Sequence, residues 1–251
     1  MPEYGTLLLL RHGLSTANAD GLFTGLLDVP LSEVGVIEAH LAASLLNAAD
    51  LSPDLVLTSV LARTKQTAEF VMADLRTPPR EVVSDWRLDE RNYGALTGRS
   101  KRDVLQEYGQ AQFMNWRRSV DTPPPPMSDA LYEKLSASAL FRSLPSAALT
   151  RTESLRDVIA RVGNCYVDRL MPPLRKGQTI LVIAHGNSLR ALCAILDELD
   201  DEAIRDLNIP TAQPLVYQFN RDLRSTVIGG RYLDNASAQA AAVALTNEGG
   251  T

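Results

Sequence analysis

Two of the three histidines in this 251-residue chain stand in the same setting, an apolar run that ends in His-Gly. Leu7 to Leu10 lead into Arg11-His12-Gly13, and Ile180 to Ala184 lead into His185-Gly186-Asn187. A neutral imidazole with one ring nitrogen pinned by a backbone carbonyl can attack phosphorus with the other, forming a phosphohistidine intermediate. Arg11 beside His12 adds a planar fork of donors that matches phosphoryl oxygens better than a lysine does. A single His-Gly at a strand end ordinarily marks only the end of a strand. Two at equivalent points, one preceded by arginine, point to a shared site. His40, in the middle of "EAHLAAS", reads as packing or surface.

Other chemistries lack their parts. Three histidines with no His-x-x-x-His pair and no cysteine cluster do not make a zinc site, so no metal is expected. Neither Gly-x-Ser-x-Gly nor a glycine-rich phosphate loop ending in Gly-Lys-Ser or Gly-Lys-Thr occurs. Phosphoryl chemistry in this chain would rest on histidine and arginine alone. Cys165 and Cys193 have no partner at metal-ligand or redox spacing and read as buried small hydrophobes.

The elements that must position these residues follow from the hydrophobic pattern. Thr6 to Leu10 reads as a strand buried on both faces, as parallel-sheet strands are. Ser32 occupies an N-cap position before a helix from about Val34 to Ala49. A short strand over residues 54–58 and a helix over 61–75 follow. Ser154 to Asp157 forms a capping box that opens a helix to about Met171, Thr179 to Ala184 is another buried strand, and a helix runs on through Leu192. Strand and helix alternate, which predicts an α/β fold of three layers, a mostly parallel sheet flanked by helices on both faces. In such a sheet ligands bind beyond the carboxyl ends of the strands, where both His-Gly pairs lie, each glycine letting the backbone turn sharply. Residues 1–251 are read as one domain. It carries a surface excursion at about 93–152 that includes the polyproline stretch Pro123 to Pro126, and a mobile tail from about Asp234 that begins as a weak helix.

A net charge of −5 argues against a protein that coats nucleic acid or an anionic membrane. An anionic ligand would need a local cluster, which Arg11, Arg63, Arg91, Arg117 and Arg118 supply if they converge. Leu7 to Leu10 is far too short to cross a bilayer, and Met-Pro-Glu-Tyr lacks the basic start of a secretory signal. The chain therefore reads as soluble and cytoplasmic.

The ordered set "RHGLSTAN", "FTGLLDVPLSEVG", "TSVLARTKQTA", "WRLDERNYGALTG", "WRRSVDTPPPP", "ESLRDVIARV", "AHGNSLRALC" and "LNIPTAQPLVYQF" resembles the cofactor-dependent phosphoglycerate mutases of the histidine phosphatase superfamily. "RHG" alone is shared across a varied superfamily; "ERxYGxLxG", "WRR" followed by prolines and "LNIPT" before a strand are similar to the mutase branch. The resemblance implies that His12 is phosphorylated, Glu90 is the general acid and base, and His185 steadies charge on the transferring group. Arg11, Ser15, Asn18, Thr24, Gly25 and Arg63 would line the phosphoryl site. Arg91, Tyr93, Lys101, Arg117 and Arg118 would hold the substrate's carboxylate and other phosphate, with Gly186 and Asn187 closing beside His185. It further implies 2,3-bisphosphoglycerate as the phosphoryl primer, a small phosphorylated substrate and a homo-oligomer, dimer or tetramer.

Taken without the resemblance, Glu90 reads as one member of a surface ion-pair strip with Arg87, Asp89 and Arg91. Two positions depart from the family: Asn92 stands where a histidine is usual, and Leu14 where glutamate or another polar residue is usual. Two further readings stay open. A phosphohistidine open to water would make the chain a phosphatase, and a non-catalytic binder of phosphorylated metabolites would keep the fold without turnover. The excursion favours the mutase, since it supplies a lid and extra cations. The tail after Asp234 is expected to fold over the mouth of the site when ligand binds.

Overall fold

The computed structural model describes residues 4–79 and 81–247. Within them β1 (Thr6–Arg11), β2 (Leu55–Thr58), β3 (Glu81–Ser84), β4 (Thr179–Ala184), β5 (Leu215–Gln218) and β6 (Arg231–Tyr232) form one sheet, ordered β3-β2-β4-β1-β5-β6. β1 runs parallel to β4, and β2 runs parallel to both β3 and β4. β5 and β6 add an antiparallel edge beside β1. The sheet is thus mostly parallel, as expected.

The unbroken leucine run of β1 has a direct cause in the layers. Leu7 and Leu9 enter one core with Leu155, Val158, Val162, Leu189 and Leu192, while Leu8 and Leu10 enter another with Ala39, Ala42, Leu46, Ala68 and Val71. Successive side chains of a strand point to opposite faces, and here both faces are covered by helices. Full burial of each such leucine contributes about 1.5–3 kcal/mol.

The helices, in chain order, are α1 (Thr16–Ala19), α2 (Glu33–Ala48), α3 (Ala62–Asp74), α4 (Lys101–Arg118), α5 (Asp129–Ser136), α6 (Ala139–Arg142), α7 (Leu155–Cys165), α8 (Met171–Arg175), α9 (Gly186–Asp197), α10 (Asp201–Asp206) and α11 (Asn235–Asn247). Ser32 caps α2 by accepting from the Gly35 amide, and Ser154 and Asp157 close the capping box of α7. A π turn over Tyr166–Leu170 joins α7 to α8, so the helical run extends past Met171. α9 likewise continues beyond Leu192 to Asp197.

The excursion is a packed shell, more than a loop over the surface. Tyr93, Leu96, Val104, Phe113 and Trp116 pack on Phe23, and Met127, Leu135, Phe141 and Leu149 pack on Leu26 and Leu61. The polyproline stretch threads against Gly94, which adopts φ +55° and whose missing Cβ would lie 2.1 Å from the Pro125 carbonyl oxygen. Only glycine satisfies both demands. These contacts tie Tyr93, Lys101 and Arg117 to the loop after β1. The tail begins as the helix α11; its last residues, 248–251, lie outside the described residues.

Candidate active site

The parallel register pairs Arg11 with Ala184, so the next residues, His12 and His185, emerge side by side from adjacent strands. Their ring centroids are 5.0 Å apart, edge to face. His12 Nδ1 lies 2.7 Å from the Gly13 carbonyl oxygen. A carbonyl only accepts, so Nδ1 carries the proton and Nε2 keeps its lone pair. Burial, then the charges of Arg63 and Arg11, hold His12 well below the usual histidine range. His12 is therefore neutral at pH 7, the state a nucleophile needs.

His185 is neutral by the same causes, burial first and Arg63 next, and differs in its partners. Arg63 Nε donates to its Nδ1 at 3.2 Å, so its Nε2 proton goes to Ser59 Oγ at 2.7 Å. The other Arg63 nitrogens donate to the Leu27 carbonyl at 2.8 Å and the Gly25 carbonyl at 2.9 Å. Burial lowers this guanidinium to about 10, which leaves it charged at neutral pH.

Gly13 does not turn through a left-handed conformation, nor does Gly186. A Cβ on Gly13 would sit 2.2 Å from the Gly35 carbonyl oxygen, so glycine is required there by the close approach of α2 to the end of β1. At Gly13, therefore, it is a close contact rather than a left-handed φ that calls for glycine.

Glu90 is buried beside the first turn of α9. Its Oε1 accepts from the Arg91 amide at 2.7 Å, the Asn187 amide at 3.3 Å and Asn187 Nδ2 at 3.0 Å. No surface ion-pair strip exists: Arg87 pairs with Asp85 and Asp168, and Asp89 is buried. Arg161 clamps the segment from behind, donating to the Arg87 and Glu90 carbonyls while it forms a two-pronged pair with Glu153. Asp89 accepts from the Val60 amide through Oδ1, and its buried Oδ2 has no partner among the described residues. Burial raises the Asp89 carboxyl to about 7.

A cavity of about 230 Å³ opens over this layer. Eight of the sixteen anticipated residues line it: Arg11, Asn18, Thr24, Gly25, Glu90, Tyr93, Lys101 and Arg117. Leu14, Leu22, Phe23, Pro210 and Thr211 complete its walls, and Ala241, Ala244 and Leu245 of α11 cover it. Arg117 lies over the rings of Phe113 and Phe23, and its Nε and NH1 have no partner among the described residues. Arg91 sits 4.6 Å over the Tyr93 ring with Nε and NH1 in the same condition. Among the described residues no cluster of three or more His, Cys, Asp or Glu side chains is placed to hold a metal ion.

A family model for the "Histidine phosphatase superfamily (branch 1)" matches residues 7–227. A 2,3-bisphosphoglycerate-dependent phosphoglycerate mutase of Thermobifida fusca is 46% identical over 97% of this chain and 99% of its own length. One of Nocardioides sp. is 48% identical over 97% of this chain and 98% of its own. The chain belongs to the histidine phosphatase superfamily, among its 2,3-bisphosphoglycerate-dependent phosphoglycerate mutases. Among solved structures it is similar to the alpha-ribazole phosphatase of Shigella flexneri, at 26% identity and a TM-score of 0.63 over 90% of this chain and 96% of that one.

The other anticipated residues divide into two groups. His12, Arg63, Arg91, His185, Gly186 and Asn187 form a buried layer next to the residues that line the cavity, and Ser15 acts through a neighbour, donating to Asn18 Oδ1 at 2.7 Å. Arg118 points elsewhere. It donates to the Arg205 and Leu207 carbonyls and to Asn208 Oδ1, beside a second cavity. Of the two departures from the superfamily pattern, Asn92 is fully buried and structural: it donates to the Thr150 carbonyl at 2.7 Å and accepts from the Gly94 amide at 2.9 Å. Leu14 does line the cavity, while its backbone amide donates to Glu38.

Sequence reasoning missed Ser59, Asp89, Arg161 and Arg190, all fixed to the buried layer. Ser59 was accessible in principle: it follows β2, the strand beside β4, so it must emerge next to His185. The others carry no spacing signal.

Proposed function

We propose that this chain interconverts 3-phosphoglycerate and 2-phosphoglycerate through a phosphohistidine on His12, as one catalytic unit that includes the excursion and the tail. The observation that carries this reading is the state of His12, a neutral imidazole with Nδ1 committed to a carbonyl, which leaves the Nε2 lone pair for attack. In the forward step Nε2 bonds to phosphorus as the phosphorus–oxygen bond breaks, and Glu90 gives a proton to the departing oxygen. In the return step the substrate hydroxyl loses its proton to Glu90, its oxygen bonds to phosphorus and the phosphorus–nitrogen bond breaks. Such proton exchange is worth about 10²–10⁴ in rate.

The cations divide the ligand's charges. Arg11, Asn18, Thr24 and Gly25 attend the phosphoryl group in transfer, with Ser15 holding Asn18; Arg63 and His185 brace that wall. Arg91, Tyr93, Lys101 and Arg117 receive the carboxylate and the second phosphate, and Arg118 anchors the last turn of α4. The same residues would hold 2,3-bisphosphoglycerate, whose charge suits the unpartnered nitrogens of Arg91 and Arg117, and which supplies the first phosphoryl group. Hydrolysis would need water to reach the phosphorus of the phosphohistidine, opposite the phosphorus–nitrogen bond. The apolar cover of Ala241, Ala244 and Leu245 opposes it, which favours the mutase over the phosphatase. With the reading go a cytoplasmic location and a homo-oligomer.

The test is to expose the purified protein to 2,3-bisphosphoglycerate labelled with radioactive phosphorus and to map the acid-labile label. Label on His12 alone is the expected result. Label on His185 or His40, or none, would overturn the reading.

A further inference from the structure

We propose that Arg190 is a positioning residue for the proton exchange: it fixes the orientation of the Asn187 amide, and through it the Glu90 carboxylate. The inference rests on the reading of Glu90 as the acid and base. Arg190 lies three residues after Asn187 on α9, so the two share a helix face. Its NH1 donates to Asn187 Oδ1 at 3.1 Å and its NH2 to the Ile204 carbonyl at 2.6 Å.

A guanidinium has donors only, so the Asn187 atom that faces it must be the oxygen. The amide nitrogen is thereby turned the other way, where it donates to Glu90 Oε1 at 3.0 Å and to Tyr93 Oη at 3.1 Å. Without Arg190 the amide could rotate by half a turn. Its oxygen would then face the carboxylate, acceptor against acceptor, and both Glu90 and Tyr93 would lose a donor. The Ile204 carbonyl, in α10, anchors the far side of the fork, so the orientation is set between two helices.

The burial of Arg190 is costly for a residue with no more than a packing role. Its side chain is 0% exposed, and Nε has no partner among the described residues. Burial, reinforced by the nearby charges of Arg118 and Arg91, lowers it to about 9. An apolar side chain of similar bulk would avoid that desolvation. What an apolar side chain cannot do is tell the two ends of an amide apart.

The experiment measures steady-state conversion of 3-phosphoglycerate, primed with 2,3-bisphosphoglycerate, for wild type, Arg190→Leu, Asn187→Ala and the double variant. Arg190→Leu should lower kcat by about tenfold or more, within the range that acid–base catalysis supplies, with KM changed less than about threefold. In the Asn187→Ala background the same substitution should change kcat by less than about twofold, because its target is gone. A full effect that persists in that background, or a loss carried in KM, overturns the proposal. Should Arg190→Leu fail to fold, Arg190→Lys carries the same cycle: it keeps the charge without the fork that spans Asn187 and Ile204. Wild-type protein that converts no 3-phosphoglycerate would instead count against the mutase reading, a separate outcome.

Discussion

His12 and His185 share a dipeptide, a strand-end position and two neighbouring strands in register, and they stand 5.0 Å apart. Burial and the same arginines keep both neutral. They differ in the second ring nitrogen. His12 binds one carbonyl and leaves Nε2 for chemistry, whereas His185 is held at both ends, by Arg63 and Ser59. The residue type supplies the capacity for nucleophilic attack, and the neighbours decide whether it can be used. The adjacent carboxylates repeat the pattern: Glu90 opens to the cavity with three donors on Oε1, and Asp89 is sealed with an unpartnered Oδ2.

The largest effect should come from His12→Ala, which is expected to lower turnover by at least about 10⁴-fold and abolish labelling. Labelling that survives in this variant would break the distinction between the two histidines. Glu90→Gln should lower turnover by about 10²–10⁴-fold, and raising the pH should not restore it, since glutamine cannot exchange the proton. His185→Ala should cost about 10²-fold, because Arg63 loses its acceptor and the wall shifts, yet acid-labile phosphate should still form on His12. Loss of labelling as complete as in His12→Ala would give His185 a direct share in the nucleophile's role.

The smallest effects concern stability. The Asp89 carboxyl stands at about 7 in the folded chain against 3.8 ordinarily, so the unfolded state releases its proton first as pH rises. The Asp89 contribution to stability is therefore lost as pH rises from 4 to 7, and Asp89→Asn should gain roughly 1–4 kcal/mol over wild type above pH 7 and little near pH 4. Denaturant midpoints across that range check the sign. The histidines act oppositely. Their folded pKa lies well below 6.5, so each contributes a loss of stability as pH falls under 6.5, opposite in sign to the Asp89 contribution, and His12→Gln measured against wild type should gain stability as pH falls through that range.

Much of this frame was legible in the chain itself because both faces of the inner strands are covered. β1 and β4 read as unbroken apolar runs, and the residues after them could be placed at carboxyl ends. The edges were not legible. β3 is short and largely exposed, and β6 has two residues, so neither carries a hydrophobic pattern. The lining of the cavity followed from the resemblance, but the split between the lining and the buried layer next to it did not, since that depends on which hydrogen bonds each side chain finds. Arg118 illustrates this: beside Arg117 in sequence, it turns to the carbonyls of Arg205 in the last turn of α10 and of Leu207 just after it. Ser59 and Arg190 fall within the quoted stretches "TSVLARTKQTA" and "AHGNSLRALC", but their roles come from sheet order and helix face, which those stretches do not spell out.

The measurement that bears most directly on the mutase reading follows 2-phosphoglycerate and free phosphate together, from 3-phosphoglycerate with a trace of 2,3-bisphosphoglycerate. Formation of 2-phosphoglycerate much faster than phosphate is the expected result of a cavity that Ala241, Ala244 and Leu245 of α11 line on one side. Phosphate as the main product would contradict it, and would make His12 the nucleophile of a phosphatase.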